Sequence, residues 1–170
     1  MGKIVEQIQV IDWTGVGTID IDTDRVLDYI DVRNYRRALV IFNSPAGTAA
    51  DDWNFTVRQA DTISGGNVKD YDVISEYWTK QAATNLLSTE IFTRSTQTAD
   101  ALVSGDATSA EEVGLLLLDF DFTLMDTANG FVFLGGAITQ DASNAAQVCA
   151  CNLMLYEPRY PQAITVTAIA

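Results

Sequence analysis

Alternation constrains this chain more than any other feature. In WNFTVRQ, an extended backbone sends Trp53, Phe55 and Val57 to one side and Asn54, Thr56 and Arg58 to the other. LLLLDFDFTL sets Leu118, Phe120, Phe122 and Leu124 against Asp119, Asp121 and Thr123, and VCACNLMLY sets Cys149, Cys151, Leu153 and Leu155 against Asn152. This two-residue period belongs to half-buried β-strands. Further strands are predicted at Val5 to Ile11, Val26 to Asn34, Ala38 to Phe42, Tyr71 to Trp78, Glu90 to Arg94 and Phe131 to Ile138. No window carries a helical stripe, and a turn near Ala110 to Val113 is the most helix the chain offers. With SPAG, SGGN and TANG as turns, the reading is all-β: an antiparallel β-sandwich or jelly-roll-like barrel of about nine or ten short strands.

All three prolines (Pro45, Pro158, Pro161) fall near turns or in the C-terminal tail, so the strands between keep their ladder donors. The segment from Ala82 to Ala110 is rich in Ala, Ser and Thr. It reads as a strand, TEIFTR, carried between exposed loops, one of them STQTADALVSGDATSAEE. A chain of 170 residues with 48% hydrophobic composition suits one domain over residues 1–170. An N-terminal arm (about 1–15) and a C-terminal tail (about 162–170) are apolar and β-prone for chain ends, which fits subunit or shell contact.

Acids outnumber bases 23 to 10, for a net charge of −13, and there is no histidine. That balance repels phosphate backbones, so no nucleic-acid partner is expected. Lack of histidine removes the usual general base near neutral pH and the commonest metal ligand, so no catalytic residues, resident metal or cofactor are expected. The start MGKIVEQIQV is not a secretory signal, and apolar runs such as FVFLGGAI fall short of the roughly 20 residues that cross a membrane, so no membrane partner is expected. Cys149 and Cys151 share a strand face, where a mutual disulfide would be strained; they read as small buried thiols.

The acidic run IDIDTDRVLDYID places Asp20, Asp22, Asp24, Asp28 and Asp31 at ligand positions 1, 3, 5, 9 and 12 of a calcium loop. Arg25 stands where the tight turn needs glycine, and Asp31 replaces the bidentate Glu. The run fits better as a solvated strand face, with Asp20, Asp22 and Asp24 as the calcium candidates. A glycosidase pair of carboxylates is the hydrolase alternative. Trp53 reads as core. Trp13 and Trp78 are candidate core or interface residues, or a sugar-stacking platform. NYRRA, with Arg33, Arg36 and Arg37, is the basic cluster and reads as a salt-bridged surface or interface patch. ISGGN lacks the strand, helix and lysine of a phosphate loop and reads as a hairpin turn.

Taken in order, NFTVRQADTISGGNVKDYDVISEYWTKQ and LLLLDFDFTLMDTANGFVFLGGAITQDASNAAQVCACNLMLYEPRY resemble small virion proteins of tailed bacteriophages encoded beside the major capsid protein. The likeness runs from Ala38 to Pro161, on Gln59 to Asp61, Asp119 to Phe131 and Arg159 to Pro161. It implies a capsid decoration, or cement, protein: a β-rich, often trimeric subunit on the outer shell, made in the host cytoplasm. Its expected partners are the major capsid protein and its own copies, with Trp13, Arg33, Arg36, Arg37, Trp78, Arg159 and Tyr160 as interface candidates. A carbohydrate-binding or fibre-associated sandwich is the alternative reading.

Overall fold

The fold is described by a computed structural model for residues 7–15, 17–20, 24–44, 53–82, 91–104, 113–140 and 148–159. Among the described residues there are twelve strands, more than the nine or ten expected, and two 3-10 turns, at Phe122–Leu124 and Thr127–Asn129. The strands are β1 (Gln9–Asp12), β2 (Ile19–Asp20), β3 (Arg25–Asp31), β4 (Tyr35–Ser44), β5 (Trp53–Ala60), β6 (Lys69–Asp70), β7 (Ile74–Ala82), β8 (Thr93–Asp100), β9 (Leu102–Ser104), β10 (Val113–Asp121), β11 (Phe133–Gln140) and β12 (Val148–Pro158).

One sheet runs β1-β12-β4-β10-β7-β8, with β2 also on β12. The other runs β3-β11-β5-β6, with β9 also on β5. Every strand pair is antiparallel. The pairing has a simple origin. Gln9 faces Leu155, Asp20 faces Val148, Asp31 faces Phe133, Ser44 faces Gly114 and Asn54 faces Ser104. As residue numbers rise on the outgoing arm they fall on the returning one, so the chain is one long hairpin with β6, β7 and β8 near its tip. Successive strands β1, β3, β4 and β5 alternate between the sheets, as do β9, β10, β11 and β12. A hairpin rolled up this way is a jelly roll.

Alternation does what the sequence requires of it. Val40, Phe42, Phe55, Val57, Leu116, Leu118, Ile138, Cys151 and Leu153 are fully buried between the sheets. Trp53 packs on Phe42 with ring centroids 4.8 Å apart. Cys149 and Cys151 are free thiols on the buried face of β12, and burial pushes the Cys149 thiol up to about 12. The ISGGN turn closes the β5–β6 hairpin, in which Arg58 faces Asp70 and Gln59 faces Lys69.

Several expectations are corrected. The segment read as an exposed loop after TEIFTR contains β8 and β9. TRSTQTAD is polar on both sides because it is the outermost strand of its sheet, and three residues of β9 are too few to show a period. The strand predicted from Tyr71 begins only at Ile74, since Tyr71 itself is a plug: it is fully buried and donates its hydroxyl to the Asp121 carbonyl at 2.8 Å. The strand over LLLLDFDFTL ends at Asp121, whose carboxylate caps the next turn by accepting from the Thr123 backbone N–H at 2.9 Å. Most of the turn expected at Ala110 to Val113, and the tail 162–170, lie outside the described residues.

Trp13 lies in the core at 2% exposure, not on an interface. Its backbone N–H donates to Cys151 at 2.8 Å, its indole N–H donates to the Asp28 carbonyl at 2.7 Å, and its ring meets Phe55 at 6.1 Å. Cys151 belongs to one sheet and Asp28 to the other, so this residue ties them together, by its backbone to the first and its indole to the second. Replacing Trp13 by Ala removes ring and donor together and should destabilise the fold by about 3–5 kcal/mol. Trp13→Phe, which keeps most of the packing, should cost less but at least the roughly 1 kcal/mol of the lost hydrogen bond. Urea unfolding of both variants checks this ranking; an unchanged midpoint for Trp13→Ala would contradict it.

Candidate interaction surfaces

The acidic run does not close around an ion between Asp24 and Asp31. These two residues bracket the extended strand β3, which at about 3.3 Å per residue holds their backbones some 20 Å apart. Asp20 ends β2, on the opposite sheet from β3, and its carbonyl accepts from Arg25 Nε at 3.0 Å. Asp28 is exposed, and Asp31 accepts from Arg33 Nε at 2.9 Å, which holds its carboxyl below the usual range. Asp22 lies outside the described residues. Among the described residues, no group of three or more Cys, Asp or Glu side chains is placed to hold a metal. No helix among them is long and apolar enough to cross a membrane.

The arginine candidates do come together, at one end of the sandwich. The β3–β4 turn carries Arg33, while Tyr156 faces Arg37 and Pro158 faces Tyr35 across the β12–β4 ladder. Arg159 then folds back, its backbone N–H donating to Asn34 and its Nε to the Tyr35 carbonyl at 3.0 Å. Four of the chain's ten cations, Arg33, Arg36, Arg37 and Arg159, therefore share this rim. Arg37 pairs with Asp119 at 2.5 Å and lies 5.6 Å from the Tyr156 ring centre, while the Tyr156 hydroxyl donates to Asp119 at 2.6 Å. Arg36 is exposed; Tyr160 lies outside the described residues.

Beside this rim, around the turn that follows β10, sits a network the sequence reading did not find. The Asp126 carboxylate accepts from Lys69 and from Asn129 at 2.9 Å, and the Asp126 backbone N–H donates to the buried side chain of Gln59 at 3.0 Å. Lys69 also lies over the Phe131 ring, 4.1 Å from its centre. The TANGF motif pointed to a turn, but not to its partners on β5 and β6.

Trp78 belongs to a different surface. The register places it opposite Leu117 and Arg94, and Leu117 opposite Ile41, which faces Asn152. Two residues along, Leu39 faces Met154, which faces Val10; in the other direction Leu115 faces Asn43 and Lys80. All these side chains point away from the core. The second sheet, by contrast, is partly closed on its outer side. Tyr29 lies so close over Gly135 that a Cβ there would meet its ring at 2.2 Å, and one on Gly65 would meet the same ring at 2.7 Å.

No family model matches the sequence, and no curated protein matches it. Among solved structures, the Tobacco streak virus coat protein aligns over 96% of this chain and 94% of its own, at 11% identity and a TM-score of 0.32. Infectious bursal disease virus, Gt strain, aligns at 12% identity and a TM-score of 0.27, over 88% of this chain and 40% of that one. At such scores neither likeness carries an argument, and the jelly-roll assignment rests on strand order and register alone.

Asp126 gives a pH test. Its hydrogen bond from Lys69 holds its folded carboxyl below the usual range. A depressed carboxylate stabilises the fold above its unfolded value near 4 and loses that contribution as the pH falls through the folded value. The melting-temperature gap between wild type and Asp126→Asn should therefore be widest above about pH 5 and close below about pH 3. A gap independent of pH would show that the charge of Asp126 contributes nothing.

Proposed function

We propose that this protein is a structural component of a virion that binds the outer surface of a bacteriophage capsid and clamps neighbouring capsomers, acting as a homo-oligomer, in the first instance a trimer, and not as an enzyme. The observation that carries this reading is the arginine rim. In a chain of net charge −13, four of ten cations sit at one end of the sandwich, three of them anchored: Arg33 by Asp31, Arg37 by Asp119 and Arg159 by the Tyr35 carbonyl. Such an end is pre-organised for a partner surface of opposite charge, and charge complementarity sets orientation and association rate. The resemblance from Ala38 to Pro161 supports the same reading, and the rim includes Arg159, the first residue of its closing RY-P. Repeated attachment over a lattice turns modest single-site affinity into large stabilisation.

In this proposal Arg33, Arg36, Arg37, Arg159 and Tyr160 face the shell, and the apolar tail 162–170 contributes to attachment or assembly. The carbohydrate-binding alternative needs Trp78 beside a second, coplanar ring; among the described residues no ring pair includes Trp78.

Co-sedimentation with expanded capsids stripped of accessory proteins tests attachment. Wild type should pellet saturably at a fixed ratio to the major capsid protein and raise the capsid melting temperature. The double charge reversal Arg33→Glu, Arg36→Glu should weaken binding at least tenfold, and deletion of Ile164 to Ala170 should weaken attachment or assembly. No pelleting of wild type on its own shell would overturn the reading. Equal pelleting of the charge reversal would remove the rim from it.

A further inference from the structure

The large sheet is apolar on two faces and, among the described residues, covered by strands on one; the central apolar residues of the other face are half-buried by their neighbours. Its central strands read ALVIF (Ala38 to Phe42) and LLLL (Leu115 to Leu118), continuous apolar runs where a sheet wet on one side would alternate. The inner residues of both runs are buried against the second sheet. The outer ones, Leu39, Ile41, Leu115 and Leu117, are joined by Met154, Trp78 and the exposed Val10 in one band crossing β1, β12, β4, β10 and β7. Every described strand outside this sheet belongs to the other one, on the opposite side, so no described strand lies over the band.

We infer that this outer face, carried by Leu39, Ile41, Trp78, Leu115, Leu117 and Met154, is where a second copy of this chain docks. Charge selects that occupant. Two molecules of net charge −13 repel wherever their average surfaces meet. This face carries Arg37, Lys80 and Arg94 against Asp12, Glu76, Asp119 and Asp121, with Asp20 beside them on β2, which is closer to balance than the chain's 10 bases against 23 acids. Arg37–Asp119 and Arg94–Glu76 are paired within the molecule, so these four charges keep their partners on approach. A copy of the same face is as apolar and as close to balance as the face it meets.

Size agrees. Five strands side by side, about 4.8 Å apart, and the outward residues of β4 from Arg37 to Asn43 at about 3.4 Å per step give roughly 500 Å² in projection. Side-chain relief adds to this, and a standard stable interface buries about 800 Å² per partner. The apolar centre with paired charges around it also has the make-up of an interface core and rim.

This inference supplies the self-association surface for the proposed virion role, and it is testable without any capsid. Light scattering and analytical ultracentrifugation of the purified full chain should give a multiple of 18.5 kDa. Two faces meeting across a two-fold give a dimer; a face meeting a neighbour's edge around a three-fold gives a trimer. Leu117→Glu and, independently, Leu39→Glu should each yield the monomer with unchanged far-ultraviolet circular dichroism, while Thr56→Glu, outward on the opposite sheet, should leave the oligomer intact. A wild type that stays monomeric at tens of micromolar would overturn the inference, as would folded Leu117→Glu and Leu39→Glu variants that keep the wild-type mass.

Discussion

Everything else in this protein depends on the pairing of its outgoing arm with its returning arm. β1 meets β12, β3 meets β11, β4 meets β10 and β5 meets β9, in registers that nest inside one another. A hairpin of that length cannot stay flat, because its apolar side would remain in water and its strands twist. Rolling it sends successive strands to alternate sheets and brings β4 against β12 and β5 against β11, the pairs that complete each sheet. Trp13 closes the roll: its backbone N–H bonds Cys151 of one sheet and its buried indole N–H bonds the Asp28 carbonyl of the other.

The roll also decides which surfaces are available. Strand ends that meet at the β3–β4 turn and the end of β12 gather the arginines, though Arg33 and Arg159 are 126 positions apart in sequence. Fused to the roll at its tip, β7 and β8 extend one sheet beyond the reach of the other. The widened sheet has an outer face on which Leu39, Ile41, Leu115, Leu117 and Met154 lie side by side. The narrower sheet spends its outer face on Tyr29, whose ring occupies the space that glycine leaves at position 135.

Long strands with two distinct faces were legible in the sequence, and those without were not. β5 alternates over its eight residues and β10 from Leu118 to Asp121, and β12 sets Cys149, Cys151, Leu153 and Leu155 on one side, so their existence and buried faces followed from period two. β2 and β6 have two residues each, and β8 is polar on both sides, so no pattern marks them. Trp13 stands among Asp12, Thr14 and Gly15, and only the tertiary partner Asp28 reveals its burial. The gathering of Arg37 with Asp119 and Tyr156 depends on register, which alternation cannot supply. The outer face did leave a signal: unbroken ALVIF and LLLL announce strands apolar on both sides.

A cryo-electron microscopy reconstruction of the particle carrying this protein would test the account most directly. The account predicts jelly-roll density outside the shell, with the Arg33, Arg37 and Arg159 end turned toward the capsomers and the Leu39–Leu117 face against a neighbouring copy. Density for this chain inside the shell or within the tail, or on the outside with the arginine end and the large sheet both turned to solvent, would contradict it.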